Sequence, residues 1–213
     1  MKIALLIIPV ALAYVLGSFP VGVLVARLVS GVEVREIGSG KTGATNVYRA
    51  TGKVGAILTV LGDALKGIMA LWIARVLTAL LIGETACQWA PWIETLAGIA
   101  VVAGHNWSLF LKFRGGAGTV VTIGVLGTIN PWATVALVVV ALSALLISRT
   151  ASIGSLTIAI AQGFVLLTFA VLGITPWAYV LFGFIGAAMT VHALRTNIWR
   201  ILKKEERQLK TDY

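Results

Sequence analysis

An all-α integral membrane protein of about seven transmembrane helices, N-terminus outside and C-terminus cytoplasmic, is the fold class that three observations predict. The first is composition: the 213-residue chain is 59% apolar and 12% charged, with a mean hydropathy of +0.97. Soluble domains carry roughly a quarter charged residues, so polar side chains cannot cover a globule of this sequence and lipid must solvate much of it. The second is a series of uncharged stretches long enough to cross a bilayer. The third is the alternation of cations between successive loops. The formal charge of +9, from 17 Lys and Arg against 8 Asp and Glu, therefore reports topology before it reports a partner, and no nucleic-acid binding is expected.

The first span runs from Ile3 to Ala26 without a charge, too long for the apolar region of a signal peptide. The second, Val54 to Ile82, is interrupted by Asp63, Lys66 and Arg75. The third and fourth, Thr95 to Leu111 and Gly115 to Asn130, are short for perpendicular helices, which suits re-entrant or neighbour-buried segments. Gly115 to Ser148 as one helix would reach roughly 50 Å, beyond the bilayer core, so Asn130-Pro131 divides it. By the same reasoning Gly173 to Pro176 divides Thr150 to Leu194 into the sixth and seventh spans.

Alternate connections carry the cations. Arg27, Arg35, Lys41, Arg49 and Lys53 follow the first span, Lys112 and Arg114 the third, Arg149 the fifth, and Arg195 to Lys210 the seventh; the second loop has only the acids Glu84 and Glu94. Odd loops are thus cytoplasmic, with Lys2 the one cation against this orientation. Residues 1–213 read as one membrane-embedded domain, and the basic tail from Arg200 to Lys210 as an interfacial helix held by anionic lipid. The single cysteine, Cys87, rules out an intramolecular disulfide, and His105 and His192 lack metal-ligand spacing, so no metal or cofactor is expected.

The polar sequence concentrates on the basic side. Gly38-Ser-Gly-Lys-Thr-Gly-Ala-Thr-Asn-Val-Tyr-Arg49 gathers Ser39, Lys41, Thr45, Asn46 and Arg49 among glycines. Glycines turn backbone N–H groups toward an anion, and a guanidinium grips two phosphate oxygens. A Walker A loop would need glycine where Arg35 stands, so a nucleotide site is excluded. The third loop ends in Gly115-Gly116-Ala117-Gly118 before an apolar run, a helix N-terminus suited to an anion, with Lys112 and Arg114 beside it. Asp63 and Lys66 share a helical face and form an expected ion pair. Ser152, Ser155, Arg195 and Asn197 add hydroxyls, an amide and a cation from two further segments. These residues together point to a phosphate site.

The order Gly-Ser-Gly-x-x-Gly-Ala-Thr-Asn-x-x-Arg, Gly-Asp-x-x-Lys-Gly, Gly-His-x-Trp, Phe-x-Gly-Gly-x-Gly, Ser-x-Gly-Ser and Asn-Ile-x-Arg resembles, over nearly the whole chain, the PlsY family of acyl-phosphate:glycerol-3-phosphate acyltransferases. The resemblance implies a multi-pass enzyme of the bacterial inner membrane with its active site toward the cytoplasm. It would move a fatty acyl group from acyl-phosphate to the 1-hydroxyl of glycerol-3-phosphate, giving lysophosphatidic acid and phosphate. It also implies phosphate handling by Ser39, Thr45, Asn46, Arg49, Gly115, Gly116, Gly118, Ser152, Ser155 and Asn197. The chain departs from the family at Ala117, where lysine is usual, at Leu194, where histidine is usual, and at Lys41, where asparagine is usual.

A lost charge-assisted phosphate contact is worth roughly 1.5 to 3 kcal/mol, so Lys41, Lys112 or Arg195 is expected to replace it in part. With an activated donor and no Ser-His-Asp or Cys-His set, direct transfer without an acyl-enzyme is expected. Ser39, Arg49 and His105 are the candidate catalytic residues; the base is either His105 or a substrate phosphate oxygen. Two alternatives are a divergent inactive paralogue and a small organic-phosphate transporter.

Overall fold

A computed structural model describes residues 6–83 and 86–208. Lys2, Glu84 and Lys210 lie outside the described residues, as do Ile3 and the first turn of the first predicted span. Among the described residues the order is α1 (Ile7–Ser18), α2 (Val21–Ser30), α3 (Ala44–Ile82), α4 (Ala86–Asn106), α5 (Thr119–Ile129), α6 (Pro131–Ser148), α7 (Ala151–Val171), α8 (Ala178–Ala193) and α9 (Arg195–Leu202), with single 3₁₀ turns at Val34–Glu36 and Leu109–Leu111.

Among the described residues four segments are long and apolar enough to cross a membrane: Ile7–Ser30, α3, α6 and α7. The pair α8 and α9, bent by 64°, makes a fifth if taken as one span. The breaks expected at Asn130-Pro131 and Gly173 to Pro176 fall between α5 and α6 and between α7 and α8. Pro131 opens α6, where its missing N–H costs nothing, and the Asn130 side chain accepts from Ala133 N at 3.0 Å. The fourth stretch yields only the 11-residue α5, roughly 16 Å long and too short to cross alone.

Three expectations need correction. The first span is not one helix, because Pro20 cannot donate to the helical ladder and α1 ends at Ser18. The carbonyls this break frees are satisfied from elsewhere: Ser108 Oγ donates to Ser18 O, and Lys66 Nζ to Phe19 O at 3.2 Å. Second, Glu94 is no loop acid. It lies inside α4, buried, where Arg75 Nε and Nη2 donate to its two oxygens at 2.9 and 2.8 Å and Tyr179 OH adds a third bond at 3.0 Å. Third, the basic tail is not a continuous helix. α9 ends at Leu202, Lys204 takes a left-handed φ of 59°, and residues 205–208 are irregular.

The core is a cluster of Leu71, Val101, Val125, Leu166 and Phe182 from α3, α4, α5, α7 and α8. Glycines set the closest crossings: a Cβ on Gly67 would strike Val121 O of α5, and one on Gly124 would strike Ala64 O of α3. Leu28, Leu80, Trp132 and Ile147 instead stand at least three-quarters exposed, the apolar surface a bilayer would cover.

Candidate active site

The Gly38–Arg49 segment is part loop, part helix. Gly38 and Gly40 take φ of 55° and 71°, conformations that L side chains rarely adopt, and the chain enters α3 at Ala44. Thr45, Asn46 and Arg49 therefore stand on the first turns of α3. Asn46 organises the loop: its Oδ1 accepts from Ser39 N at 3.0 Å, while Nδ2 donates to Val34 O, Ile37 O and Lys41 O at 2.8 to 2.9 Å. Those bonds use the amide fully. They hold the loop in which Ser39 and Lys41 line a cavity together with Arg49. At Gly52 the backbone leaves helical geometry (φ 76°, ψ −163°), setting this first part of α3 off from the long span beyond it.

The glycine loop before α5 works differently from the sequence expectation. Gly115 N donates to Asn106 O and Gly116 N to His105 O, both at 3.1 Å. These N–H groups fasten the loop to the end of α4 and are not available to an anion. Gly118, at φ 75°, turns the chain into α5, whose first-turn N–H groups have no partners within the helix. Ala117, Gly118, Thr119 and Val120 line the cavity, and Thr119 Oγ1 is buried without a hydrogen-bond partner.

Beneath this loop lies a buried polar cluster. Lys66 Nζ is 3.0 Å from Asp63 Oδ1, the expected i,i+3 pair, and 2.8 Å from His105 Nδ1. Nδ1 is also 3.6 Å from Asp63 Oδ1, so it meets both a donor and an acceptor, and its role follows the tautomer, which equally sets that of Nε2. That nitrogen faces Gly116, where a Cβ would collide with it. Asp63 and His105 form the cavity floor.

The opposite wall comes from α7, the α8–α9 bend and the tail. Lys41 Nζ donates to Ala193 O at 2.6 Å and to Asn197 Oδ1 at 2.8 Å, crossing from the first loop to the bend. Burial, reinforced by Arg195 and Arg200, lowers the Lys41 pKa to about 8, against the pull of Glu206. Glu206 Oε1 accepts from Ser152 Oγ and Asn197 Nδ2, both at 2.7 Å.

Ser39, Lys41, Thr45, Asn46, Arg49, His105, Gly118, Ser152, Ser155 and Asn197 all line this cavity. Lys112, Gly115, Gly116 and Arg195 do not; Lys112 is exposed, and Arg195 Nη1 donates to His192 O at 3.0 Å outside it. Ala117 and Leu194, the two departures, do line it. Sequence reasoning missed Asp63 as a wall residue and Glu206 and Arg207 altogether. The signal for the last two was present as the acids Glu205 and Glu206 within a run of bases.

Known proteins resemble this chain over nearly its whole length. Residues 7–204 match the family model for glycerol-3-phosphate acyltransferase. The chain is 38% identical over 200 residues to the glycerol-3-phosphate acyltransferase of Desulforudis audaxviator, covering 94% of this chain and 93% of that one. It is 34% identical to glycerol-3-phosphate acyltransferase 2 of Moorella thermoacetica, covering 95% and 97%. Crystal structures of PlsY, an integral membrane glycerol 3-phosphate acyltransferase, superpose with TM-scores of 0.83 in the glycerol 3-phosphate form and 0.81 in the lysophosphatidic acid form. Both are 31% identical and cover 97% of this chain and 96% of theirs. The chain belongs to the glycerol-3-phosphate acyltransferase family.

Proposed function

We propose that this family member, which acylates glycerol-3-phosphate in phospholipid biosynthesis, takes its acyl group from acyl-phosphate and releases lysophosphatidic acid and phosphate. The observation that carries the reading is the convergence of Arg49, Lys41, Ser39 and the N-terminus of α5 on one cavity. Two anions must meet there, the acyl-phosphate and the phosphate of the acceptor. Arg49 offers a fork of donors to one of them, and the α5 N–H groups offer a positive dipole end to the other. Relatives and solved structures that are all acyltransferases favour this over a carrier or an inactive scaffold.

The chemistry is positioning and charge neutralisation. The 1-hydroxyl attacks the acyl carbonyl, the acyl–phosphate bond breaks, and the phosphate leaves with its charge held by Arg49, Ser39 and the α5 N-terminus. A phosphate oxygen takes the hydroxyl proton. His105 holds the glycine loop through its carbonyl, which accepts from Gly116 N, while its Nδ1 lies between Lys66 and Asp63. Lys41 stands beside Leu194 and Asn197 and supplies the positive charge that the family places at Ala117 and Leu194.

In this reading residues 1–213 form one domain in the bacterial inner membrane. The chain crosses seven times with its N-terminus outside, the short α5 crossing as a neighbour-buried segment of the bundle rather than alone, and the cavity opens to the cytoplasm, where the basic segments lie. Purified protein given acyl-phosphate and glycerol-3-phosphate should release phosphate and form lysophosphatidic acid, whereas acyl-coenzyme A should not replace the donor. An acyl-protein adduct trapped by rapid quench would overturn direct transfer. Phosphate release unchanged in Arg49→Ala would overturn the site.

A further inference from the structure

Glu206 lies four residues past the end of α9. It is reached through a turn in which Lys203 N donates to Trp199 O, Lys204 N to Ile201 O and Glu205 N to Arg200 O, at 2.8 to 3.1 Å. The turn sends the chain back over the cavity. One carboxylate oxygen then collects two donors, Ser152 Oγ and Asn197 Nδ2. The other, Oε2, is buried with no hydrogen-bond partner. Lys41 and Arg49 interact with its charge, and the next residue, Arg207, lines the same cavity.

A carboxylate is an oxyanion, and here it takes up Ser152 and Asn197, donors that the family resemblance gives to a phosphate. The Ser152 hydroxyl has one proton and cannot donate to Glu206 and to a phosphate at once. Two anions at hydrogen-bond distance from the same donors also repel, the more so when partly withdrawn from water. The unpartnered Oε2 adds a cost that leaving the cavity would relieve. Phosphate and Glu206 therefore compete for one place.

We propose that residues 203–208 form a strap whose Glu206 carboxylate stands in for substrate phosphate in the free enzyme and is displaced when glycerol-3-phosphate binds. The strap keeps Lys41, Arg49, Ser152 and Asn197 assembled around an anion while the site is empty, and it sets a threshold that a weakly bound anion does not pass. This inference rests on the reading of Ser152 and Asn197 as phosphate ligands.

The test uses the full chain in detergent, with glycerol-3-phosphate as the probe. Glu206→Gln keeps the volume of the side chain and removes its charge. It should lower the Kd for glycerol-3-phosphate at least threefold. Trypsin cleavage after Lys203, Lys204 and Arg207 should be accelerated by glycerol-3-phosphate in the native protein, and should be fast without it in Glu206→Gln and Glu206→Ala. An unchanged or weaker affinity in Glu206→Gln, or cleavage indifferent to glycerol-3-phosphate in the native protein, overturns the strap. Arg49→Ala separates the two readings. If it loses glycerol-3-phosphate binding while Glu206→Gln changes nothing, the strap alone fails; if it binds normally, the phosphate site fails with it.

Discussion

The two ends of α3 carry charged clusters of similar composition and opposite character. Toward its C-terminal end, Arg75 forms a two-pronged pair with Glu94, Tyr179 OH completes the carboxylate, and the guanidinium lies 5.6 Å from the centre of the Trp72 ring. Both carboxylate oxygens are used. Toward its N-terminal end, Arg49 and Lys41 meet a carboxylate with one orphaned oxygen, a threonine hydroxyl without a partner and a helix N-terminus. A saturated cluster binds nothing further and acts as a clamp between α3, α4 and α8. An unsaturated one, open to solvent, retains the capacity to bind a ligand. Residue type did not distinguish them; satisfaction of their hydrogen bonds does.

The largest expected effect is on catalysis at the open end. Arg49→Ala should reduce kcat/KM for glycerol-3-phosphate by about 10² to 10³, the loss typical of one donor to a developing oxyanion, with an unchanged melting temperature. Steady-state phosphate release and a thermal melt on the same preparation check both halves. The closed end should give the inverse result. Arg75→Met leaves Glu94 charged and buried, a loss of about 3 to 5 kcal/mol, whereas turnover per folded molecule should hold. Adding Glu94→Gln should recover most of that stability. Loss of turnover in Arg75→Met at full folding would erase the contrast between the two ends.

Next in size is the charge missing from the cavity wall. Ala117→Lys should improve glycerol-3-phosphate affinity by roughly ten- to a hundredfold, the worth of a charge-assisted hydrogen bond. Because Lys41 already supplies charge, the gain should stand toward the lower figure in the native background and toward the higher one when Ala117→Lys is added to Lys41→Ala, the three variants being Ala117→Lys, Lys41→Ala and the double substitution. Isothermal titration of the three variants measures it.

The smallest effect is in pH. Lys41 titrates near 8, so its positive charge is present at pH 7 and lost above pH 8. KM for glycerol-3-phosphate should rise severalfold between pH 7 and 9, and Lys41→Arg should flatten that rise. Stability runs the other way. The folded pKa lies below the unfolded value of 10.5, so the unfolded chain holds the proton more tightly between about 8 and 10.5. The destabilisation is fully present below pH 8 and fades as pH rises through that window. Melting temperatures across the same range test the sign.

Much of the site was legible from chain order alone, because loops of glycine, hydroxyl and cation recur where a phosphate binds. Ten of the expected residues line one cavity. What was not legible was how each donor is used. Asn46, expected as a phosphate ligand, gives its amide to Val34, Ile37 and Lys41. Gly115 and Gly116, expected as anion donors, pair with α4 carbonyls. Lys41, Lys112 and Arg195 were equal candidates for the missing charge, and only Lys41 reaches the cavity. Asn46 bonds across 5 to 12 residues of irregular loop and Lys41 across 152 and 156, and neither follows a helical or strand period that could be read from the chain.

The sequence by itself determined that the protein is a helical bundle for lipid and where it breaks, at Pro131 and before Pro176, and it pointed to phosphate chemistry among the basic segments. Those features depend on composition, hydropathy period and proline geometry, all local properties. Only the tertiary structure decided that Glu94 is a buried clamp rather than a loop acid, that His105 is buried against Lys66 rather than free at a helix end, and that Glu206 enters the cavity from the tail. Each depends on a partner brought near by packing, Arg75, Lys66 and Ser152 in turn, and the energy of a buried polar group is set by that partner more than by its own identity.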